Sequence, residues 1–198
     1  MKIRFREDKE DKENKGENEG MDRLKGLLST GLYFLAVLGL TLFVIAFVGQ
    51  RTEVSGSSME STLQDGDNLI VDKISYRFRD PQRFEIIVFP FQYQDDTYYI
   101  KRIIGLPGER VRIDEDGNIF INDELLEEHF GREVIRNPGV AFDGVTLKDD
   151  EYFVLGDNRN NSSDSRSPQV GNIHKSKIIG RAWLRIFPFN KITFLAGK

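Results

Sequence analysis

The stretch Thr97-Tyr98-Tyr99-Ile100-Lys101-Arg102-Ile103-Ile104 is followed directly by Gly105-Leu106-Pro107-Gly108. Aromatic and β-branched residues dominate it and a Leu-Pro-Gly turn closes it, which predicts a strand over 97–104. Working upstream, Glu85-Ile86-Ile87-Val88-Phe89 is a short continuous apolar run, and Pro90 ends it or sets it at an edge. Before that, Asn68 to Ile74 reads as a strand entered from an Asp65-Gly66 turn. Working downstream, Arg110–Ile113 and Asn118–Ile121 flank Asp116-Gly117, a hairpin signal. Two more strands follow, Glu151–Leu155 and Gly180–Phe187. Turns at Asn137-Pro138-Gly139 and Asp143-Gly144 break up the segment between the hairpin and Glu151, so 114–148 is expected to be a small inserted β cap. The body is therefore expected to be mainly β, an antiparallel sheet with that cap, because no long amphipathic helix interrupts the strands.

The N-terminal third differs. Residues 1–25 hold eight basic and eight acidic residues and little to bury, which predicts an unstructured tail. From Gly26 to Gly49 there is no charged residue. As a helix this stretch would reach about 36 Å, against a hydrocarbon core of about 30 Å, so 26–49 is expected to be a single transmembrane helix. A cleaved leader would have a shorter apolar region and a small-residue cleavage site, which Ala46-Phe47-Val48 does not supply. Lys9, Lys12, Lys15, Arg23 and Lys25 precede the span, whereas Arg51 is the only basic residue after it before Lys73. That asymmetry predicts a cytoplasmic N-terminus and an extracytoplasmic domain over 50–198.

Composition narrows the chemistry. The chain has 198 residues and a net charge of -4, so no basic stripe argues for nucleic acid. It has no cysteine, which removes disulfides, thiol nucleophiles and cysteine-based zinc sites. Its two histidines, His129 and His174, have no metal-ligand spacing. A Ser-His-Asp triad is recognised by geometry and stays open at this level. The other source of an activated hydroxyl is the segment Val54-Ser55-Gly56-Ser57-Ser58-Met59-Glu60-Ser61-Thr62-Leu63. Taken alone, such a Ser/Gly cluster reads as a linker. A serine hydroxyl needs a base, and a lysine on an apolar strand face can lose its proton through burial. Lys101 shares a face with Tyr99 and Ile103, and Arg102 one with Ile100 and Ile104. Periodicity does not choose between them, but an arginine stays charged and cannot be a base.

Three segments in order behind an anchor carry a resemblance. They are the Ser-Met segment above, Tyr99-Ile100-Lys101-Arg102-Ile103-Ile104-Gly105-Leu106-Pro107-Gly108-Glu109, and Gly156-Asp157-Asn158-Arg159-Asn160-Asn161-Ser162-Ser163-Asp164-Ser165-Arg166. Together they resemble the bacterial type I signal peptidases, most closely in pattern the Gram-positive type, over roughly residues 24–190. The resemblance implies a membrane-bound serine endopeptidase with Ser58 as nucleophile and Lys101 as general base. It implies that Ser162 steadies the lysine and that Asp164 and Arg166 pair behind the site. The backbone N–H of Ser58, with Ser57, would receive the oxyanion. Val54, Ser55, Gly56, Met59, Leu63, Tyr99 and Ile100 would bind the substrate, and neither a metal nor another cofactor would be required. The implied partners are preprotein signal peptides with Ala-x-Ala-type cleavage sites and membrane lipid. The chain would act as a monomer in the bacterial plasma membrane. The sequence departs from the pattern at Ser61, where many members have proline. It departs again at Gly56, where Gram-negative relatives have a second serine, and at Phe84, where glycine is common. The alternatives are an inactive relative that binds signal peptides without cutting, and a self-cleaving Ser/Lys regulator.

Overall fold

The structure is a computed structural model that describes residues 7–43 and 49–195. The chain divides into two units, residues 1–46 and 47–198. The first contains one helix, Glu7–Phe43. It begins within the stretch expected to be an unstructured tail; that stretch is rich in Glu and Lys, which are strong helix formers. The expected span, 26–49, runs on into residues 44–48, which lie outside the described residues. Among the described residues no helix is long and apolar enough to cross a membrane.

The second unit is built from β1 (Gly49–Glu53), β2 (Asn68–Asp72), β3 (Ile86–Pro90), β4 (Tyr98–Gly105), β5 (Arg110–Ile113), β6 (Ile119–Ile121), β7 (Glu124–Leu125), β8 (Val145–Thr146), β9 (Glu151–Leu155), β10 (Ile173–His174), β11 (Gly180–Phe187) and β12 (Thr193–Phe194). The larger sheet runs β1-β2-β11-β3-β4-β9-β10, with β12 added to β11, and the smaller runs β7-β6-β5-β8. Every pair is antiparallel. The smaller sheet overlaps the expected cap at 114–148 but begins earlier, at Arg110, because the Asp116-Gly117 hairpin belongs to it rather than to the main sheet.

Two interior strands of the main sheet have largely apolar sequence. β3 and β9 are buried on both faces, as such runs require. Alternation along β4 divides the core. Ile103 packs with Ile87, Phe89 and Tyr152 on one side of the sheet. Ile104 joins Val111, Ile119 and Phe153 under the smaller sheet, and Ile100 packs on Val54, Met59, Leu63, Leu69 and Ile86. β3 pairs with β4 along its length, with Ile87 opposite Lys101. β9 takes up the other edge of β4 only from Arg102 onward. Residues 98–101 therefore keep one backbone edge unpaired by the sheet.

Candidate active site

Ser58 sits on a compact turn held from several directions. Met59 and Leu63 are buried, 1% and 0% exposed, and lock the turn into the core. The Thr62 and Leu63 N–H groups both donate to the Met59 carbonyl, at 2.9 and 2.8 Å. Upstream, Gly56 has φ of 95°, a conformation that favours glycine, and its N–H donates to Asp65 Oδ1 at 2.7 Å. The Asn158 N–H donates to the Ser58 carbonyl at 3.0 Å, and Asn158 Nδ2 to the Ser57 carbonyl at 3.1 Å. Among the described residues the Ser58 N–H has no hydrogen-bond acceptor and is free for a bound group.

Lys101 Nζ lies 2.7 Å from Ser58 Oγ and 3.0 Å from the Ile100 carbonyl oxygen. The residue is 3% exposed, and Nζ stands 5.0 Å from the Tyr99 ring centroid. Burial pushes its pKa down to about 8, against the opposing charges of Asp164 and Asp157. A neutral amine is therefore readily populated within hydrogen-bond reach of a hydroxyl, which is the geometry of a nucleophile beside its base.

A cleft of about 590 Å³ opens over this pair, walled by residues 52–58 on one side and 96–101 on the other. Val54, Ser55, Gly56, Tyr99 and Ile100 line it, and so does Ser57. Met59 and Leu63 do not: they lie beneath the wall, in the core cluster. The unpaired edge of β4 at 98–101 faces a peptide-sized opening, so an extended chain could complete the sheet there.

Asp164 and Arg166 form a buried two-bonded pair, with Nε to Oδ1 and Nη2 to Oδ2 both at 2.8 Å, and Asp164 Oδ2 also accepts from the Gly156 N–H at 3.1 Å. Ser162 departs from expectation. Its Oγ is buried and makes no hydrogen bond, so it does not bond Lys101. It packs instead over Gly156: a side chain at that glycine would place Cβ 2.2 Å from Ser162 Oγ and 2.5 Å from the Ser58 carbonyl oxygen. Glycine at 156 is what lets the loop close on the Ser58 backbone.

Sequence reasoning missed the group that joins the three segments. Arg102, 1% exposed, donates to Asp157 through Nε at 2.9 Å and Nη2 at 2.6 Å. Thr62 Oγ1 donates to Asp157 Oδ2 at 2.5 Å, and Arg102 Nη1 donates to the Phe84 carbonyl at 2.8 Å. The lysine strand, the Gly-Asp-Asn loop and the serine turn thus share one buried ion pair. The available signal was an arginine on an otherwise apolar strand face with a lone Asp after Gly156. Asn161 was also missed; its Nδ2 donates to Ser57 Oγ at 2.9 Å. His174 bonds Asp150 at 3.1 Å, and both histidines are exposed and absent from the cleft.

Comparison with known proteins gives a consistent result. A family model described as signal peptidase, peptidase S26, matches residues 27–187. A probable signal peptidase I-2 of Synechocystis sp. is 39% identical over 175 residues, covering 85% of this chain and 77% of that one. A signal peptidase I of Bacillus licheniformis is 34% identical over 160 residues, covering 77% and 84%. A solved signal peptidase I from Enterococcus faecalis is 33% identical, covers 52% of this chain and 97% of that one, and gives a TM-score of 0.44.

Proposed function

The chain belongs to the signal peptidase family, peptidase S26, and is a hydrolase of the signal peptidase I kind; from that premise we propose that Ser58 and Lys101 form its catalytic dyad, cutting signal peptides from preproteins outside the plasma membrane. The observation that carries this reading is the 2.7 Å approach of Lys101 Nζ to Ser58 Oγ beside a peptide-sized cleft. Neutral Lys101 takes the hydroxyl proton as Ser58 attacks the scissile carbonyl. The oxyanion is received by the Ser58 N–H, with the Ser57 hydroxyl as a second donor. Lysine then returns the proton to the leaving amine, and a water activated by the same amine hydrolyses the acyl-enzyme. The substrate lies extended between residues 54–56 and 98–100, with small side chains at the first and third positions before the cut. Asp164 and Arg166 hold the loop that carries Asn158. The helix through residues 26–43 is the described part of a single N-terminal anchor. Its cytoplasmic side is set by the basic residues before it, and its apolar surface meets lipid.

The test is incubation of the detergent-solubilised full chain with a preprotein and N-terminal sequencing of the product. A single new terminus after an Ala-x-Ala-type site is expected. An intact preprotein that stays bound to the chain would favour a binding relative, and self-cleavage alone a regulator. For topology, protease added to intact spheroplasts should digest residues 51–198; their protection would reverse the orientation.

A further inference from the structure

Asn161 lines the cleft together with Ser57 and Ser58, and it bonds neither Ser58 nor Lys101. It belongs to the Gly156–Arg166 loop, which already grips the serine turn. Asn158 donates to the Ser58 carbonyl through its N–H and to the Ser57 carbonyl through Nδ2. The Asn161 N–H donates to the Asn158 carbonyl at 2.9 Å, so the turn that holds those two carbonyls also fixes residue 161. Asn161 Nδ2 then donates to Ser57 Oγ at 2.9 Å. Asn158 holds the backbone of the serine pair, and Asn161 holds one side chain.

The direction of that last bond has a consequence. An amide N–H only donates, so the Ser57 oxygen is the acceptor in it. A serine hydroxyl carries a single hydrogen, and with a lone pair taken from the Asn161 side its own O–H must point elsewhere. Among the described residues no acceptor takes that hydrogen. The Ser58 N–H, one peptide unit away, is likewise without an acceptor among the described residues. Two adjacent donors are thus left unused at the same cleft. A hydroxyl free to turn would spread its hydrogen over several directions, whereas oxyanion stabilisation depends on donors set before charge develops. Accepting a bond also polarises the O–H and strengthens it as a donor.

Resting on the Ser58–Lys101 reading of the site, we propose that Asn161 is a positioning residue for cleavage, which holds the Ser57 hydroxyl as a preset donor to the oxyanion formed at Ser58. The amide is the part that matters. A carboxylate of the same size at 161 accepts only, so it would take the Ser57 hydrogen for itself and leave the oxyanion with the Ser58 N–H alone.

The test is kcat and KM of the full chain in detergent on a short Ala-x-Ala peptide, read on the alkaline plateau where Lys101 is neutral. A shift of the lysine limb then does not enter the comparison. Ser57→Ala removes the donor and should lower kcat about a hundredfold, with KM within about twofold. Asn161→Ala keeps the hydroxyl but frees it to turn, and should lower kcat about tenfold, the worth of one neutral hydrogen bond. The double variant should match Ser57→Ala alone, because Asn161 has nothing to orient once the hydroxyl is gone. Asn161→Asp should fall to about the Ser57→Ala level. Residue 161 is exposed, so each variant should melt as the parent does. An Asn161→Ala loss that is the same with and without Ser57 would make the residue a brace for the loop only. Asn161→Asp at the parent rate would mean that Ser57 already donates to residue 161 and not to the substrate. Either result overturns the proposal while leaving the dyad standing. Cleavage that survives Ser58→Ala or Lys101→Ala would sink the dyad, and the role of Asn161 with it.

Discussion

The rate of cleavage should follow the deprotonation of Lys101. Burial lowers its pKa from 10.5 to about 8. Only the neutral amine can accept the Ser58 proton, so kcat/KM should rise about tenfold per pH unit well below that value and level off about one unit above it. At pH 7 about a tenth of the enzyme would carry neutral lysine, and at pH 6 about a hundredth. The same shift is a stability statement. A lysine with a depressed folded pKa binds fewer protons folded than unfolded between about 8 and 10.5. Its burial therefore destabilises fully below about pH 8, by about 3 kcal/mol in order of magnitude, and the cost fades as pH rises toward the unfolded value. Lys101→Met removes the ionisation while keeping most of the side-chain volume. Its stability advantage over the parent chain should be greatest in the acidic half of the range and shrink through that window. The assays are kcat/KM against pH on the full chain in detergent with a short Ala-x-Ala peptide, and urea unfolding of both proteins across the same range. A rate profile already flat at neutral pH with its acidic limb near 6.5, the ordinary histidine value, would refute Lys101 as the base.

Ser58→Ala and Lys101→Ala should each abolish cleavage, and the double variant should be little worse than either, because the two act as one unit; His129→Ala and His174→Ala should keep activity within a few-fold, as read by peptide turnover. Asp157→Asn leaves the buried Arg102 charge unmatched and should cost about 3–5 kcal/mol in urea unfolding. Because the Asp157 charge also favours protonated Lys101, the acidic limb of any residual activity in that variant should move to lower pH. Gly156→Ala forces a Cβ to within 2.5 Å of the Ser58 carbonyl oxygen. Its effect should fall more on turnover than on the fold, about a hundredfold in kcat/KM against about 1–3 kcal/mol of stability, measured by peptide assay and thermal melt.

The strands were readable where their signals were local. β3 and β9 are continuous apolar runs, and the β5–β6 hairpin announces itself through Asp116-Gly117. β1 was not readable, because Gly49-Gln50-Arg51-Thr52-Glu53 has no apolar alternation; pairing with β2 supplies what its sequence lacks. Phe84 was seen as a departure from glycine without a cause. The structure supplies one: its φ is 70°, where a bulky residue is strained. The ring is partly buried and stands 5.1 Å from Phe130, so side-chain packing opposes the backbone preference for glycine.

The candidate dyad could be named from the sequence, but the residues that hold it could not. Lys101 and Arg102 are adjacent cations on one strand, and strand periodicity places them on opposite faces without saying which is the base. The two faces offer different surroundings. Lys101 finds a hydroxyl and an aromatic ring, with no carboxylate among its hydrogen-bond partners, so desolvation drives its pKa down. Arg102 finds Asp157, bonded to it twice in the core, and acts as a strut. That partner lies 55 residues along the chain, beyond the reach of any local pattern. The same pairing carries Thr62 and so fixes the far end of the serine turn. The carboxylate that locks the turn also adds, after Asp164, to the field that raises the lysine pKa. Asp157 therefore bears on two opposed quantities, the rigidity of the Ser58 turn and, with Asp164, the fraction of neutral Lys101. The value near 8 is where desolvation outweighs that field without removing the carboxylate on which the geometry depends.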